Sequence, residues 1–112
     1  MVAGCRSSGE LTESSGTSGS VLVSTGPTKL NSIHGYVITG TIAQCIDYDN
    51  TSASGTIVAR MYLDAADVVP GGGVNGKIFE FDMHGVLCQI GIFVVISTPT
   101  GGVTHGFTIE YS

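Results

Sequence analysis

The sequence predicts an all-β fold, an antiparallel β-sandwich of the jelly-roll type, with a flexible or extended N-terminal arm. Several windows alternate apolar and other residues with period two, which is the pattern of strands that bury one face. No window of the 112 residues has the three-to-four-residue apolar spacing of an amphipathic helix. Clusters of Gly, Ser, Asn and Asp separate the alternating windows, as the turns of a sandwich would.

The N-terminal arm is assigned to residues 1–26 and the sandwich domain to residues 27–112. The arm is rich in Ser, Gly and Thr and has few apolar residues, so burial cannot offset the entropy of ordering it. Gly26-Pro27 is a turn signal that opens the domain. The arm's one apolar contact point, residues 21–23, is expected to form at most a short strand. Two interpretations stay open, a flexible tail and an arm that orders against a neighbouring subunit.

The first strands of the domain follow from the alternation. Residues 30–38 form the first substantial strand, which we expect to break or bulge near Gly35. Residues 41–48 and 57–63 alternate on either side of the turn-forming segment 49–56, which predicts a hairpin. The side chains predicted to face inward from the second strand of this hairpin are Ile57, Ala59, Met61 and Leu63.

The second half of the domain contains the most apolar stretch, GVLCQIGIFVVIS at residues 85–97, which we predict to be core. A strand at residues 77–83 precedes it and a strand at residues 103–111 ends the chain. Residues 64–76 contain Pro and three successive glycines and are predicted to be a long connection. Because Gly91 interrupts the apolar stretch, it is either one bulged strand or two strands, the first of which pairs in the opposite sheet.

The low charge of the chain is its unusual property. Only 12% of the residues are charged, where globular proteins average about 25%. The surface of this single domain must therefore be Ser, Thr, Gly and Asn, or another chain must cover part of it, and we favour a covered surface. The net charge is −5 and the four basic residues are scattered, which argues against nucleic-acid binding.

Candidate chemical residues form no recognisable constellation. The acidic pairs Asp47/Asp49 and Glu80/Asp82 have period two, and we expect them to be solvated strand faces. Three successive glycines at residues 71–73 lack the Lys-Ser/Thr of a phosphate loop. No nucleophile, general base or paired acid is evident. We therefore predict no enzyme activity and no cofactor.

The cysteines and histidines do not predict a metal site. His84 and Cys88 lie four residues apart, which is about 13 Å along a strand and too far to share one zinc ion. Cys45 and Cys88 lie in apolar strand patterns and are predicted to be small core residues. No membrane partner is expected, since residues 85–97 are shorter than the roughly 20 residues of a membrane span. Residues 2–5 look like the end of a lipoprotein signal, but only four residues precede Cys5, so we expect no export signal.

Three stretches of the sequence carry a family resemblance. The first is Leu-x-x-Ile-x-Gly-Tyr-Val-Ile at residues 30–38, and the second is Ile-x-Tyr-Asp-Asn-Thr-Ser-Ala-Ser-Gly-Thr at residues 46–56. The third is Gly-Ile-Phe-Val-Val-Ile-Ser at residues 91–97, followed by a last strand that ends in Tyr at residue 111. These stretches resemble a group of small virion proteins of phages, frequent among phages of marine bacteria. The resemblance covers residues 29–112 and rests on turns and core strands.

The resemblance implies a capsid decoration or cement protein, a structural protein without catalytic activity. Its location would be the capsid surface of a virion, after synthesis in the host bacterial cytoplasm. Its partners would be the major capsid protein and further copies of itself, with a trimer favoured. The alternative is a phage tail or fibre component, including a receptor- or carbohydrate-binding head. The residues expected to make the partner contacts are Val21, Leu22, Val23, Val68, Val69 and Pro70.

Overall fold

The computed structural model describes residues 5–12, 18–39, 42–64, 77–98 and 104–112. These residues contain eight β-strands and no helix. The strands form two four-stranded antiparallel sheets that pack face to face, which confirms the all-β sandwich predicted from the sequence. The predicted contact residues 68–70 lie outside the described residues.

Every strand neighbour in both sheets is antiparallel. Sheet A has the order β1-β8-β3-β6, and sheet B has the order β2-β7-β4-β5. The strand bounds are Arg6–Ser7 (β1), Ser18–Thr25 (β2), Thr28–Thr39 (β3), Ile42–Asp49 (β4), Thr56–Asp64 (β5), Lys77–Cys88 (β6), Gly91–Ser97 (β7) and Thr104–Tyr111 (β8).

Part of the predicted N-terminal arm belongs to the sandwich. β1 pairs with β8 in sheet A, and β2 pairs with β7 in sheet B. Leu11 extends the first of these pairings, because its backbone exchanges hydrogen bonds of 2.7 and 2.9 Å with Phe107. Residues on both sides of the predicted boundary at 26/27 thus contribute strands, and the described arm residues contact sheets of their own chain.

The apolar stretch at residues 85–97 is two strands. β6 ends at Cys88 in sheet A and β7 begins at Gly91 in sheet B, so residues 89 and 90 carry the chain from one layer to the other. The Asp49 carboxylate accepts backbone hydrogen bonds of 3.0, 2.8 and 3.3 Å from residues 89, 90 and 91. A Cβ at position 91 would lie 2.5 Å from the carbonyl oxygen of Ser24, so this position requires glycine.

Gly35 does not break β3, contrary to the prediction. It pairs regularly with both neighbouring strands, and the register shifts of β3 lie nearer its ends. A Cβ at position 35 would lie 2.6 Å from the sulfur of Met61 in the opposite sheet and 2.9 Å from the Phe107 ring. The glycine is therefore needed for the close approach of the two sheets rather than for a bulge.

β6 contains the largest irregularity of sheet A. Leu30 of β3 pairs with Val86, whereas Ser32 pairs with Asp82, so β6 carries extra residues between these two pairs. Within them the backbone adopts positive φ at residues 84 and 85, with values of 54° and 73°. The Asp82 carboxylate accepts the backbone N–H of His84 at 2.9 Å and so supports this bulge.

The core lies between the sheets and is built from alternate residues of the strands. Met61 and Leu63 are buried, as the alternation of β5 predicts. Ile57 is 41% exposed instead, because a register shift between β4 and β5 changes which face it occupies. The buried apolar residues are Leu30, Ile33, Val37, Ala43, Cys45, Met61, Leu63, Cys88, Ile92, Val94, Ile96, Phe107 and Ile109.

Candidate functional site

The outer face of sheet B carries an apolar row that crosses all four strands. Leu22 of β2 lies opposite Phe93 of β7, Phe93 lies opposite Tyr48 of β4, and Tyr48 lies opposite Ile57 of β5. Leu22 is 43% exposed and Ile57 is 41% exposed, while the two aromatic residues between them are half-buried. The row is therefore an uninterrupted apolar band in contact with solvent.

The next rows extend this band. Val95 lies opposite Ile46, and the two are flanked by Ser20 and Arg60. Tyr62 in the following row is 56% exposed. Arg60 carries the only charge among the side chains described in these rows. We call this surface the sheet B face, and its residues are Ser20, Leu22, Gln44, Ile46, Tyr48, Ile57, Arg60, Tyr62, Phe93, Val95 and Ser97.

Sheet B therefore has a largely apolar outer face as well as the inner face that packs in the core. An antiparallel sheet with one face in solvent normally has polar side chains on that face. Contiguous exposed apolar patches on soluble domains mark interaction sites more often than isolated exposed residues do. The cores of protein–protein interfaces are also depleted in charge and enriched in aromatic residues. The sheet B face has both properties, which makes it the candidate interaction surface.

The predicted contact residues of β2 divide between the two sides of sheet B. Val21 and Val23 are half-buried and pack against the core. Leu22 points the other way and belongs to the apolar row. Leu22 is therefore the residue of this segment that is available for a partner contact, since the side chains of the two valines pack against the core of the sandwich. The rest of the sheet B face was missed, because the alignment of its rows depends on a strand order that the sequence does not reveal.

The outer face of sheet A is polar and contains a cluster around His34. Its Nδ1 lies 3.1 Å from Oε2 of Glu80 on β6, and its Nε2 contacts Oε1 of Glu110 on β8. The Ser32 hydroxyl donates a hydrogen bond of 2.8 Å to Glu110. Hydrogen bonds from Ser32, His34 and Cys5, in that order of effect, lower the pKa of the Glu110 carboxyl. The cluster links three neighbouring strands.

Ser32, His34 and Glu80 have the spacing of a hydroxyl–imidazole–carboxylate relay. The Ser32 oxygen lies 3.1 Å from His34 Nε2, and Glu80 contacts the other ring nitrogen. However, Glu110 contacts the same Nε2 and accepts the Ser32 hydroxyl hydrogen. The imidazole is therefore not positioned to take the proton of Ser32, as nucleophile activation requires. The cluster cannot be recognised in the sequence, because its residues come together only through the pairing of β3 with β6 and β8.

The prediction that the acidic pairs lie on solvated faces is wrong for Asp47 and correct for Glu80 and Asp82. Asp47 faces the core and is fully buried, so its assignment to a solvated face is wrong. Its Oδ1 accepts a hydrogen bond of 3.3 Å from the Cys45 thiol, and burial raises its pKa to about 7. Asp49 holds the turn between the sheets, and its three backbone hydrogen bonds lower its pKa. Glu80 and Asp82 are exposed, as predicted.

Cys45 and Cys88 are buried core residues, as predicted, and Cys5 is exposed; all three are free thiols. Among the described residues, no group of three or more His, Cys, Asp or Glu side chains is arranged to hold a metal ion. Within the same residues there is no helix long and apolar enough to cross a membrane. No family model, curated protein or solved structure matches the chain.

Proposed function

We propose that the protein is a non-catalytic structural protein of a bacteriophage virion. It binds the outer surface of the capsid as a decoration or cement protein and stabilises the shell. Its partners are the major capsid protein and other copies of itself. The sheet B face carries the proposal, since it is an apolar, aromatic surface with one described charge in a chain that is 12% charged.

The physical basis is burial on assembly. Transferring apolar surface from water contributes roughly 25 cal/mol per Å². A protein that buries more of its apolar surface in the assembled particle than in solution shifts the equilibrium towards that particle by mass action. Neither step requires a catalytic residue or a cofactor. The resemblance to phage virion proteins and the low surface charge both agree with this mode of action.

A phage tail or fibre component is the alternative, because the sheet B face also carries aromatic side chains. Phe93 and Tyr48 are adjacent, and Tyr62 is 56% exposed on the same face. Aromatic rings of this kind can stack on sugars in a receptor-binding head. The capsid assignment is favoured because the row from Leu22 through Phe93 and Tyr48 to Ile57 is continuously apolar, whereas a sugar site places polar partners beside its aromatic rings.

The copy number of the protein in purified particles tests the proposal. Quantitative mass spectrometry of intact particles should give one copy per major capsid subunit, or a simple fraction of it. Particles assembled without the protein should lose their genome at a lower temperature, and added protein should restore the original value. A few copies per particle, together with hits on a glycan array, would favour the tail alternative. Absence from purified particles would overturn both assignments.

A further inference from the structure

We infer that the sheet B face packs against the same face of a second copy of this chain. The inference rests on the proposed function in one respect, that the sheet B face is an assembly interface. It goes further in naming the occupant of that face. Two sheets that pack face to face with strand directions nearly aligned form a standard β-sandwich interface, with the side chains of both faces between them.

The distribution of charge favours a second copy at this face. The chain has a net charge of −5, so two copies repel each other overall. The outer face of sheet A carries Glu80, Asp82 and Glu110, and two copies that met through it would bring these carboxylates together. No carboxylate lies in the three described rows of the sheet B face, from the Leu22–Ile57 row to the Gln44–Tyr62 row. Of the two described outer faces, it is therefore the one on which like-charge repulsion between copies is smaller.

The strand order determines how two copies can be related. A two-fold axis perpendicular to the strands and parallel to the face, through the middle row of Ser20, Val95, Ile46 and Arg60, would place Arg60 opposite Arg60 of the second copy. A two-fold axis parallel to the strands, between β7 and β4, instead places β5 over β2 of the second copy. Arg60 of each copy then lies opposite Ser20 of the other copy, and Phe93 of each copy lies opposite Tyr48 of the other copy. The second arrangement avoids the repulsion between arginines and gives a closed, isologous dimer.

The small size of the face is typical of a weak, reversible association. Four strands about 4.8 Å apart and eight residues long, at about 3.3 Å per residue, cover roughly 500 Å² per copy. Two copies would bury about 1,000 Å², which is the lower end for a biological interface. We therefore expect the isolated chain to dimerise reversibly, with a dissociation constant in the micromolar range.

Sedimentation equilibrium of the full chain over a micromolar concentration series is the test. We expect a concentration-dependent mass that approaches two chains. Leu22→Asp should raise the dissociation constant about 100-fold, because each dimer loses this leucine twice and each loss costs about tenfold. The matched control is Leu87→Asp, since Leu87 is 51% exposed but pairs with Lys29 in sheet A. It should leave the dissociation constant unchanged, and circular dichroism should verify that both variants fold.

A pair of substitutions at Ser20 tests the orientation of the axis. Ser20→Glu should tighten the dimer about fourfold and Ser20→Lys should weaken it, because residue 20 faces Arg60 of the second copy at two equivalent places.

A monomer at every concentration, a mass of three chains, or equal effects of Leu22→Asp and Leu87→Asp would each overturn the inference. A monomer that still binds capsids at the expected copy number would leave the proposed function intact. A dimer that is absent from particles would overturn the function and leave the dimer.

Discussion

Replacing Asp47 with asparagine tests how one buried carboxyl group affects the pH dependence of stability. Asp47 lies on the inner face of β4, where its Oδ1 accepts the Cys45 thiol hydrogen and its Oδ2 has no hydrogen-bond partner among the described residues. Burial raises its pKa from the ordinary 3.8 to about 7. An asparagine has nearly the same shape and keeps an acceptor for Cys45, but it does not ionise.

The sign and size of the effect follow from the two pKa values. Because the pKa of Asp47 is higher in the folded state, the folded protein holds the proton more tightly between pH 3.8 and about 7. The free energy of unfolding therefore falls as the pH rises through this window and levels off above it. A difference of about 3 units at about 1.4 kcal/mol per unit predicts a loss of about 4 kcal/mol.

Urea unfolding from about pH 4 to pH 8, followed by circular dichroism, measures this loss. The wild-type free energy of unfolding should fall relative to that of Asp47→Asn by about 4 kcal/mol across the range. Subtracting the two profiles removes the contributions of other groups, including Asp49 and Glu110, whose pKa values are lowered. Asp82→Asn is the control and should follow the wild type, because this exposed position keeps its acceptor for the His84 N–H. Parallel profiles for wild type and Asp47→Asn would refute the reasoning.

Three further predictions concern the packing of the sandwich. Gly35→Ala should lower the free energy of unfolding by about 1–3 kcal/mol in thermal or urea melts, because the added methyl group overlaps the Met61 sulfur; an unchanged melt would contradict the close packing. Asp49→Ala should cost about 2 kcal/mol at neutral pH through the loss of charge-assisted bonds to the turn. This cost should shrink in acid, as the wild-type carboxyl is protonated; a pH-independent cost would contradict it. Under native conditions Cys5 alone should react rapidly with a thiol reagent, and the other two cysteines should react only after unfolding. Rapid reaction of all three thiols would contradict the burial of Cys45 and Cys88.

The strands and most of the core could be predicted because burial on one face leaves a period-two signal. Met61 and Leu63 are examples, and so are Cys45 and Cys88. The errors arose where the pairing of strands or the packing of the two sheets overrides the period-two pattern of a single strand. A register shift turned Ile57 outward, and the closeness of the sheets at position 35 could not be deduced from one strand alone.

The candidate site was less predictable because it depends on which strands are neighbours. Alternation assigns Ile46 and Tyr48 to one side of β4, but only the order β2-β7-β4-β5 aligns them with Phe93 and Leu22 into rows. The same holds for His34, which meets its two carboxylates only through pairings across sheet A. Sequence patterns report the faces of single strands, whereas a surface is a property of the assembled sheet.

The bulge in β6 has a consequence for how copies of the protein can join. β6 is an edge strand of sheet A, and a straight edge offers free backbone groups to any other strand, which leads to open-ended polymers. The positive φ angles at residues 84 and 85 interrupt that edge, and Glu80 and Asp82 place negative charge beside it. An incoming copy would meet a bent, acidic strand rather than a template. Growth along this edge is thereby disfavoured, which agrees with the proposed association through faces, where symmetry can close it.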